Sequence, residues 1–294
     1  MGKFEITEEL LSELELLESV IKNNVAGMFG GNRKSKSFGS SPEFADYRDY
    51  ADGDDVTKID WNAYARFDKL YLKLYLDERQ MHTRIYIDAS RSMSYGDVGK
   101  DVQALRIAAA LAYISVCEMD KVSVYAIKGG RLEPVISGMV GKEAYLSEIG
   151  KLSGIVFDGE SLISDAIAPS NVGYGDGMSV IISDFLTDAD YETAINTLAD
   201  KKRDIFCIQV LSREELLPLS RGRVHFFDSE VQSKSYRKNI DRAVAKAYKE
   251  ALVYATERIN RAAQSRGGSY ILASAEDTLG EVLFGKMANV GVLK

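Results

Sequence analysis

Thr83-Arg84-Ile85-Tyr86-Ile87-Asp88-Ala89-Ser90-Arg91-Ser92 runs two patterns end to end. The first half, TRIYI, is β-branched and aromatic and reads as a short strand. The second half, DASRS, sets a carboxylate and two hydroxyls at alternate positions, so side chains of one sharp turn can point to the same side. In open α/β sheets, ligands bind outside the carboxyl ends of the strands. A strand that ends on such a turn is therefore informative if similar strands follow it with helices between them.

They do follow. Val102–Met119 is an apolar-rich helix, and KVSVYAIKGG (121–130) with RLEPVISG (131–138) predicts a hairpin. Lys142–Leu152 and Ser161–Ala168 are helical, MSVIISDF (178–185) is a buried strand, Tyr191–Lys201 a helix, and DIFCIQVL (204–211) another buried strand. GRVHFFD (222–228) reads as a short strand at an edge. Ser233–Arg266 reads as one long helix, with Tyr236, Ile240, Val244, Ala247, Ala251, Ala255 and Ile259 along one side and Gly267-Gly268 as its stop. SYILAS (269–274) and a helix near Glu276–Phe284 close the domain. Continuous apolar strands alternating with helices predict an α/β fold, a doubly wound and mostly parallel sheet with helices on both faces, over residues 81–288.

Upstream, residues 1–80 group as a second region. Ile6 to Asn24 places Leu10, Leu14, Leu17 and Ile21 at helical spacing behind Thr7 as N-cap, which predicts a helix docked on its own domain. GMFGGNRKSKSFGSSP (27–42), with Arg33, Lys34 and Lys36, reads as a mobile loop or linker. Residues 43–68 are dense in charges and aromatics, and LYLKLYL (70–76) alternates with Leu70, Leu72, Leu74 and Leu76 on one face of a strand. Arg48 and Arg66 lie amid Asp54, Asp55 and Asp60, which predicts bidentate arginine–carboxylate pairs locking an irregular loop, with Trp61, Tyr47 and Tyr50 packed around them. Such a cluster braces the strand; Trp, Tyr and Arg are also favoured anchors of a partner-facing surface.

The composition narrows the classes of function. With 46% hydrophobic and 28% charged residues, the chain has material for a core and for solubility. Its 44 acidic against 37 basic residues give a net charge of -7, so no global basic footprint for nucleic acid exists, and an acidic surface suits divalent cations or basic partner patches. Cys117 and Cys207 sit in apolar runs and read as buried packing thiols in a reducing compartment. No 18-residue apolar stretch is present, and the acidic, amphipathic N-terminus is unlike a secretory leader, so a cytoplasmic location is expected.

The residues just after the strands carry the chemistry. Asp88, Ser90 and Ser92 follow one strand, Asp184 follows another, and Ser161 opens a helix between them in GESL (159–162). Oxygen donors of this kind, few of them charged, suit Mg²⁺ or Mn²⁺, which keeps an open position that a carboxylate from another protein can fill. Glu160 competes with Ser161 as the middle ligand. A purely local reading also stands: Asp88 and Asp184 capping their turns, with Ser90 and Ser92 bonded to nearby backbone. Catalysis finds less support. There is no G-x-S-x-G elbow and no phosphate-binding G-x-x-x-x-G-K-[ST] loop, and His82 and His225 lie in or beside strand-like segments. A metal-assisted phosphoester hydrolase built on the same oxygen cluster is the alternative.

DASRS, GESL and the strand-end Asp184, in that order, resemble the three parts of the metal-ion-dependent adhesion site of von Willebrand factor A domains. The departure is Ser161, where that family usually supplies threonine. The upstream stretch through Glu43-Phe44, Arg48, Tyr50, Gly53-Asp54-Asp55, Ile59-Asp60-Trp61 and Ala65-Arg66 resembles the bacterial von Willebrand factor A-like family called domain-of-unknown-function 58, and FFDSE (226–230) fits it too, so that the likeness spans about residues 35–284. Members are typically encoded beside MoxR-type AAA+ ATPases. The resemblance therefore implies an adaptor or chaperone-like role with such an ATPase or its client.

Overall fold

The computed structural model describes residues 4–24, 44–75, 80–94, 99–175, 177–217, 222–227 and 235–287. The expected linker at 27–42 lies outside the described residues. The chain forms two compact units, one of residues 1–28 with 81–294 and the other of residues 29–80.

The first helix, α1 (Glu8–Asn24), starts where the sequence marks it, with the Thr7 hydroxyl accepting from the Leu10 N–H at 3.2 Å. Leu10 and Leu14 are buried. The side chains of Leu17 and Ile21 lie outside the described set. Next comes the smaller unit, with β1 (Phe44–Asp49), α2 (Trp61–Phe67) and β2 (Tyr71–Tyr75), in which β1 and β2 pair antiparallel. Leu72 on β2 is buried. Asp60 caps α2 by accepting from the Asn62 and Ala63 N–H groups, and takes the Tyr47 hydroxyl at 2.7 Å on its other oxygen.

The larger unit follows with β3 (His82–Asp88), α3 (Lys100–Cys117), β4 (Lys121–Lys128), β5 (Arg131–Met139), α4 (Gly141–Glu148), a single turn α5 (Ile163–Ala166) and β6 (Met178–Ser183). It continues through α6 (Glu192–Asp200), β7 (Asp204–Leu211), a turn α7 (Arg213–Leu216), β8 (Gly222–Phe227), β9 (Ser235–Ile240), α8 (Arg242–Ser265) and β10 (Ser269–Ser274). Among the described residues, six strands make one sheet in the order β10-β7-β6-β3-β4-β5, all parallel except the β4–β5 hairpin. The chain winds from β3 outward through β4 in one direction and from β6 outward through β7 in the other. The junction of β3 with β6 is thus the topological switch point, where the loops diverge and open a crevice.

Both sheet faces are covered. Tyr86, Ile127, Ile181, Cys207 and Ile205 form one core with residues of α5, α6 and α8, including Ile163, Ile195, Leu198, Ile259 and Ala263. On α3 nearly every residue is buried, as a helix apolar all round must be, and it contacts β3, β4, β6 and β7. The helix α1 docks on α3, with Glu13 paired to Arg106 at 3.2 Å and Glu18 accepting from the Tyr113 hydroxyl at 2.9 Å and from Lys142 at 2.6 Å. The grouping of residues 1–80 is revised in that respect: α1 belongs to the larger unit, where it lies against α3.

Three further expectations are corrected. Ser235–Ile240 is strand β9, paired antiparallel with β8 in a separate two-stranded sheet, and the helix begins only at Arg242. The Asp241 carboxylate caps it by accepting from the Val244 N–H at 2.8 Å, which fixes the start. On α8 the expected stripe is also shifted: Ile259 is buried with Ala263, whereas Ala247 and Ala251 are exposed. Alanine is too small to set the phase of a helix. Cys207 is buried as expected, but Cys117 is only half-buried. No helix among the described residues is long and apolar enough to cross a membrane.

Candidate metal centre

Asp88 ends β3 and Asp184 directly follows β6, so the fold sets both carboxylates at the switch point. Each spends one oxygen locally. Asp88 Oδ1 accepts from the Ser90 N–H at 3.0 Å and Asp184 Oδ1 from the Leu186 N–H at 3.1 Å, the short-range turn bonds that the local reading requires. The other oxygens go long-range. Asp88 Oδ2 accepts from the Ser161 hydroxyl at 2.7 Å and from the Ser183 hydroxyl at 2.6 Å. Asp184 Oδ2 accepts from the Lys100 ammonium at 2.7 Å.

The middle loop reaches this point because of Gly159. Its N–H donates to Ala89 C=O at 3.0 Å and its carbonyl accepts from the Arg91 N–H at 2.9 Å, a parallel bridge laid against the DASRS turn. A Cβ at Gly159 would sit 3.0 Å from Lys128 and 3.3 Å from the Ala89 carbonyl, so glycine allows the approach. Two residues later Ser161 points inward and is buried, while Glu160 is exposed. Ser161, rather than Glu160, thereby meets Asp88. Ser90 and Ser92 place their hydroxyl oxygens 3.0 Å apart. Behind Asp184, Phe185 adopts φ 50, uncommon for a bulky residue; its buried ring packs edge-on against Tyr191.

The charges do not balance. Lys100 is fully buried and bridges Asp184 and Glu215, the latter at 2.6 Å. Burial alone would lower its pKa, but the charges of Asp184 and Glu215 outweigh it and hold the ammonium above its ordinary value. Asp88 takes only neutral donors, namely two hydroxyls and an N–H. Burial, followed by the negative charge of Asp184, pushes its pKa up to about 6 against those three hydrogen bonds. With Asp88, Asp184 and Glu215 ionised against one Lys100, two negative charges have no matching cation among the described residues. Buried charge without a partner is costly. A divalent cation matches that deficit, and the oxygen donors of Asp88, Ser90, Ser92, Ser161 and Asp184 suit a hard ion. The residues present fit the group.

Sequence reading missed three members of this cluster. Ser183, beside Asp184, could have been suspected from its place at a strand end. Lys100 had a weaker signal, a cation opening an otherwise apolar helix, and Glu215 had none.

The second predicted cluster, in the smaller unit, assembles differently. Arg48 pairs with Asp54 through a single contact at 2.7 Å, and Asp55 caps the turn Val56–Lys58 by accepting from Thr57. Asp60 serves α2, Tyr47 and Lys73, the last at 3.3 Å. Arg66 forms no ion pair among the described residues, so the expected bidentate locking by both arginines is corrected: the carboxylates are consumed by caps and by Lys73. Trp61 is 61% exposed and meets Tyr64 edge-on, rather than packing around the pairs.

The doubly wound sheet, with hydroxyls and carboxylates gathered at its switch point, defines the class: an α/β domain of mostly parallel strands flanked by helices. The sequence profile of the family described as "Protein of unknown function DUF58" matches residues 46–258, and the chain belongs to that family. The uncharacterized protein Rv1480 of Mycobacterium tuberculosis is 24% identical over 230 residues, covering 76% of this chain and 71% of its own, and the uncharacterized protein Mb1516 of Mycobacterium bovis matches equally. Among solved structures, the SpRpn10 VWA domain is similar over 70% of this chain and 94% of its own, with 11% identity and a TM-score of 0.38. The pilus adhesin SpaC from Lactobacillus rhamnosus GG is similar over 79% of this chain and 37% of its own, with 10% identity and a TM-score of 0.35.

Proposed function

We propose that this protein is a non-enzymatic, metal-dependent protein-interaction module that works as an adaptor or chaperone-like partner of a MoxR-type AAA+ ATPase. The observation that carries the metal part is the Ser161 hydroxyl on Asp88 at 2.7 Å, which joins loops 73 residues apart over a site with two negative charges unmatched among the described residues. Ser90, Ser92 and Ser161 would hold Mg²⁺ or Mn²⁺ with Asp88 and Asp184. The bound ion would supply residual positive charge to a carboxylate of the partner. The ATPase part rests on membership of the family and on the genomic company such proteins keep. A location in the cytoplasm follows from that partnership.

The hydrolase reading has less behind it. Asp88 is fully buried, and both its oxygens accept hydrogen bonds, so it is poorly placed to attack or deprotonate a substrate. Isothermal titration with Mg²⁺ and Mn²⁺ tests the metal part: binding is expected in the natural chain and lost in Asp88→Ala. A pull-down with the ATPase in the presence and absence of chelator tests the partnership. Capture that is indifferent to chelator, or phosphoester turnover lost in Asp184→Ala, would redirect the assignment.

A further inference from the structure

Lys100 is an unexpected side chain to find at the base of a cation site. It is fully buried in the first turn of α3, and its ammonium touches Asp184 Oδ2 at 2.7 Å and Glu215 Oε1 at 2.6 Å. Both acceptors are themselves held. The Ser212 N–H donates to Glu215 Oε2 at 2.8 Å while the Ser212 hydroxyl accepts from the Glu215 N–H, a reciprocal capping box that fixes Glu215 behind β7. The Tyr248 hydroxyl from α8 donates to the Glu215 carbonyl at 2.9 Å. Asp184 is pinned through its carbonyl, which accepts from Gln209 Nε2 at 2.7 Å, and through its bond to the Leu186 N–H. Neither carboxylate can leave the ammonium without breaking a second contact.

We infer that Lys100 is a resident monovalent cation of the site, which occupies one Asp184 oxygen permanently and sets the affinity for the exchangeable divalent ion low. This inference rests on the proposed reading of the Asp88 cluster as a cation site. The physical argument is the sign and the constancy of the charge. An immobile ammonium repels an arriving cation at every moment, and in a buried setting that repulsion is weakly screened. It also withdraws one of the four oxygens of the paired aspartates from metal ligation. The same charge offsets part of the repulsion among Asp88, Asp184 and Glu215, so the loops stay assembled when the divalent ion leaves. Weak, reversible binding on a preformed site follows, suited to a partner that must be released.

The test is a charge series in the full chain, read by isothermal titration with Mn²⁺ and Mg²⁺. Lys100→Gln should bind Mn²⁺ at least about tenfold more tightly than the natural chain, while Lys100→Arg should keep the weak affinity. Glu215→Gln, which leaves Lys100 less neutralised, should bind several-fold more weakly and guards against misfolding of the Lys100 variants. A structural role alone would weaken binding in every variant or leave it unchanged. Equal or weaker affinity in folded Lys100→Gln, or equal or tighter affinity in Glu215→Gln, overturns the inference while leaving the metal reading intact. Binding by Lys100→Gln alone, abolished by adding Asp88→Ala, upholds the inference and removes the metal from the natural chain. Silence in all variants overturns both.

Discussion

The two ends of β3 carry buried polar clusters of opposite character. At its start, Arg203 is almost fully buried and donates to the Ser179 hydroxyl at 3.0 Å and to the carbonyls of Gly175, Met178 and His82. His82 beside it bonds the Ser123 hydroxyl at 2.9 Å. Burial, with the charges of Arg84, Arg203 and Lys121 behind it, drops the His82 pKa to about 4. There the Arg203 guanidinium is spent on three carbonyls and a hydroxyl. At the other end, burial first and Asp184 second push Asp88 up to about 6, and no cation among the described residues pairs with it. The same cause, desolvation, acts at both ends. The Arg203 cluster directs its charge onto neutral acceptors, whereas the cluster at the switch point sets three carboxylates against one ammonium among the described residues.

Four outcomes would break or sharpen this contrast, taken from the largest. Arg203→Met should lower stability by at least about 3 kcal/mol in urea unfolding, because a buried hydroxyl and three half-buried carbonyls lose a charged donor, yet leave Mn²⁺ affinity untouched. Metal sensitivity in that variant would mean the two ends are not separate. Next, Mg²⁺ at about 100 times its Kd should stabilise the natural chain by about 2.7 kcal/mol and Asp88→Ala not at all, measured as a shift in the urea midpoint. Ser161→Ala should cost about 2 kcal/mol in chelator, the loss of a hydrogen bond to a buried carboxylate, and should weaken metal binding too; Ser161→Thr should restore both. The smallest effect is a slope. His82 has a folded pKa below its unfolded value of 6.5, so its contribution is fully present above pH 6.5 and is lost as pH falls toward 4. His82→Gln should flatten thermal stability across that window, followed by circular dichroism.

How far residues alone foretold the site follows the range of each interaction. Asp88, Ser90 and Ser92 lie in one turn, and strand period with turn chemistry found them. Ser161 and Asp184 were found because each follows an element whose end the fold brings to the same rim. Glu215 escaped because its significance exists only in three dimensions, where Lys100 meets it across 115 residues; Ser183 and Lys100 carried only weak signals, a strand-end hydroxyl and a cation opening an apolar helix. Arg66 misled for the converse reason, since nearby aspartates in sequence were already engaged by caps and by Lys73. Residues 235–240 fit a helix by sequence because their apolar spacing, Tyr236 and Ile240, suits either period over so short a run. What separates them from α8 is the partner strand β8 and the cap at Asp241.

Trp61 has a consequence of a practical kind. It is the only tryptophan in the chain, and it stands solvent-facing on α2 in the smaller unit. Indole emission from the intact protein therefore reports on residues 29–80 alone, a built-in optical tag on the unit that lacks the Asp88 cluster. A change in its colour or quenching when divalent ion is added would be a message carried from one unit to the other. Constant emission through a titration that calorimetry shows to be complete would mark two parts that act without hearing each other.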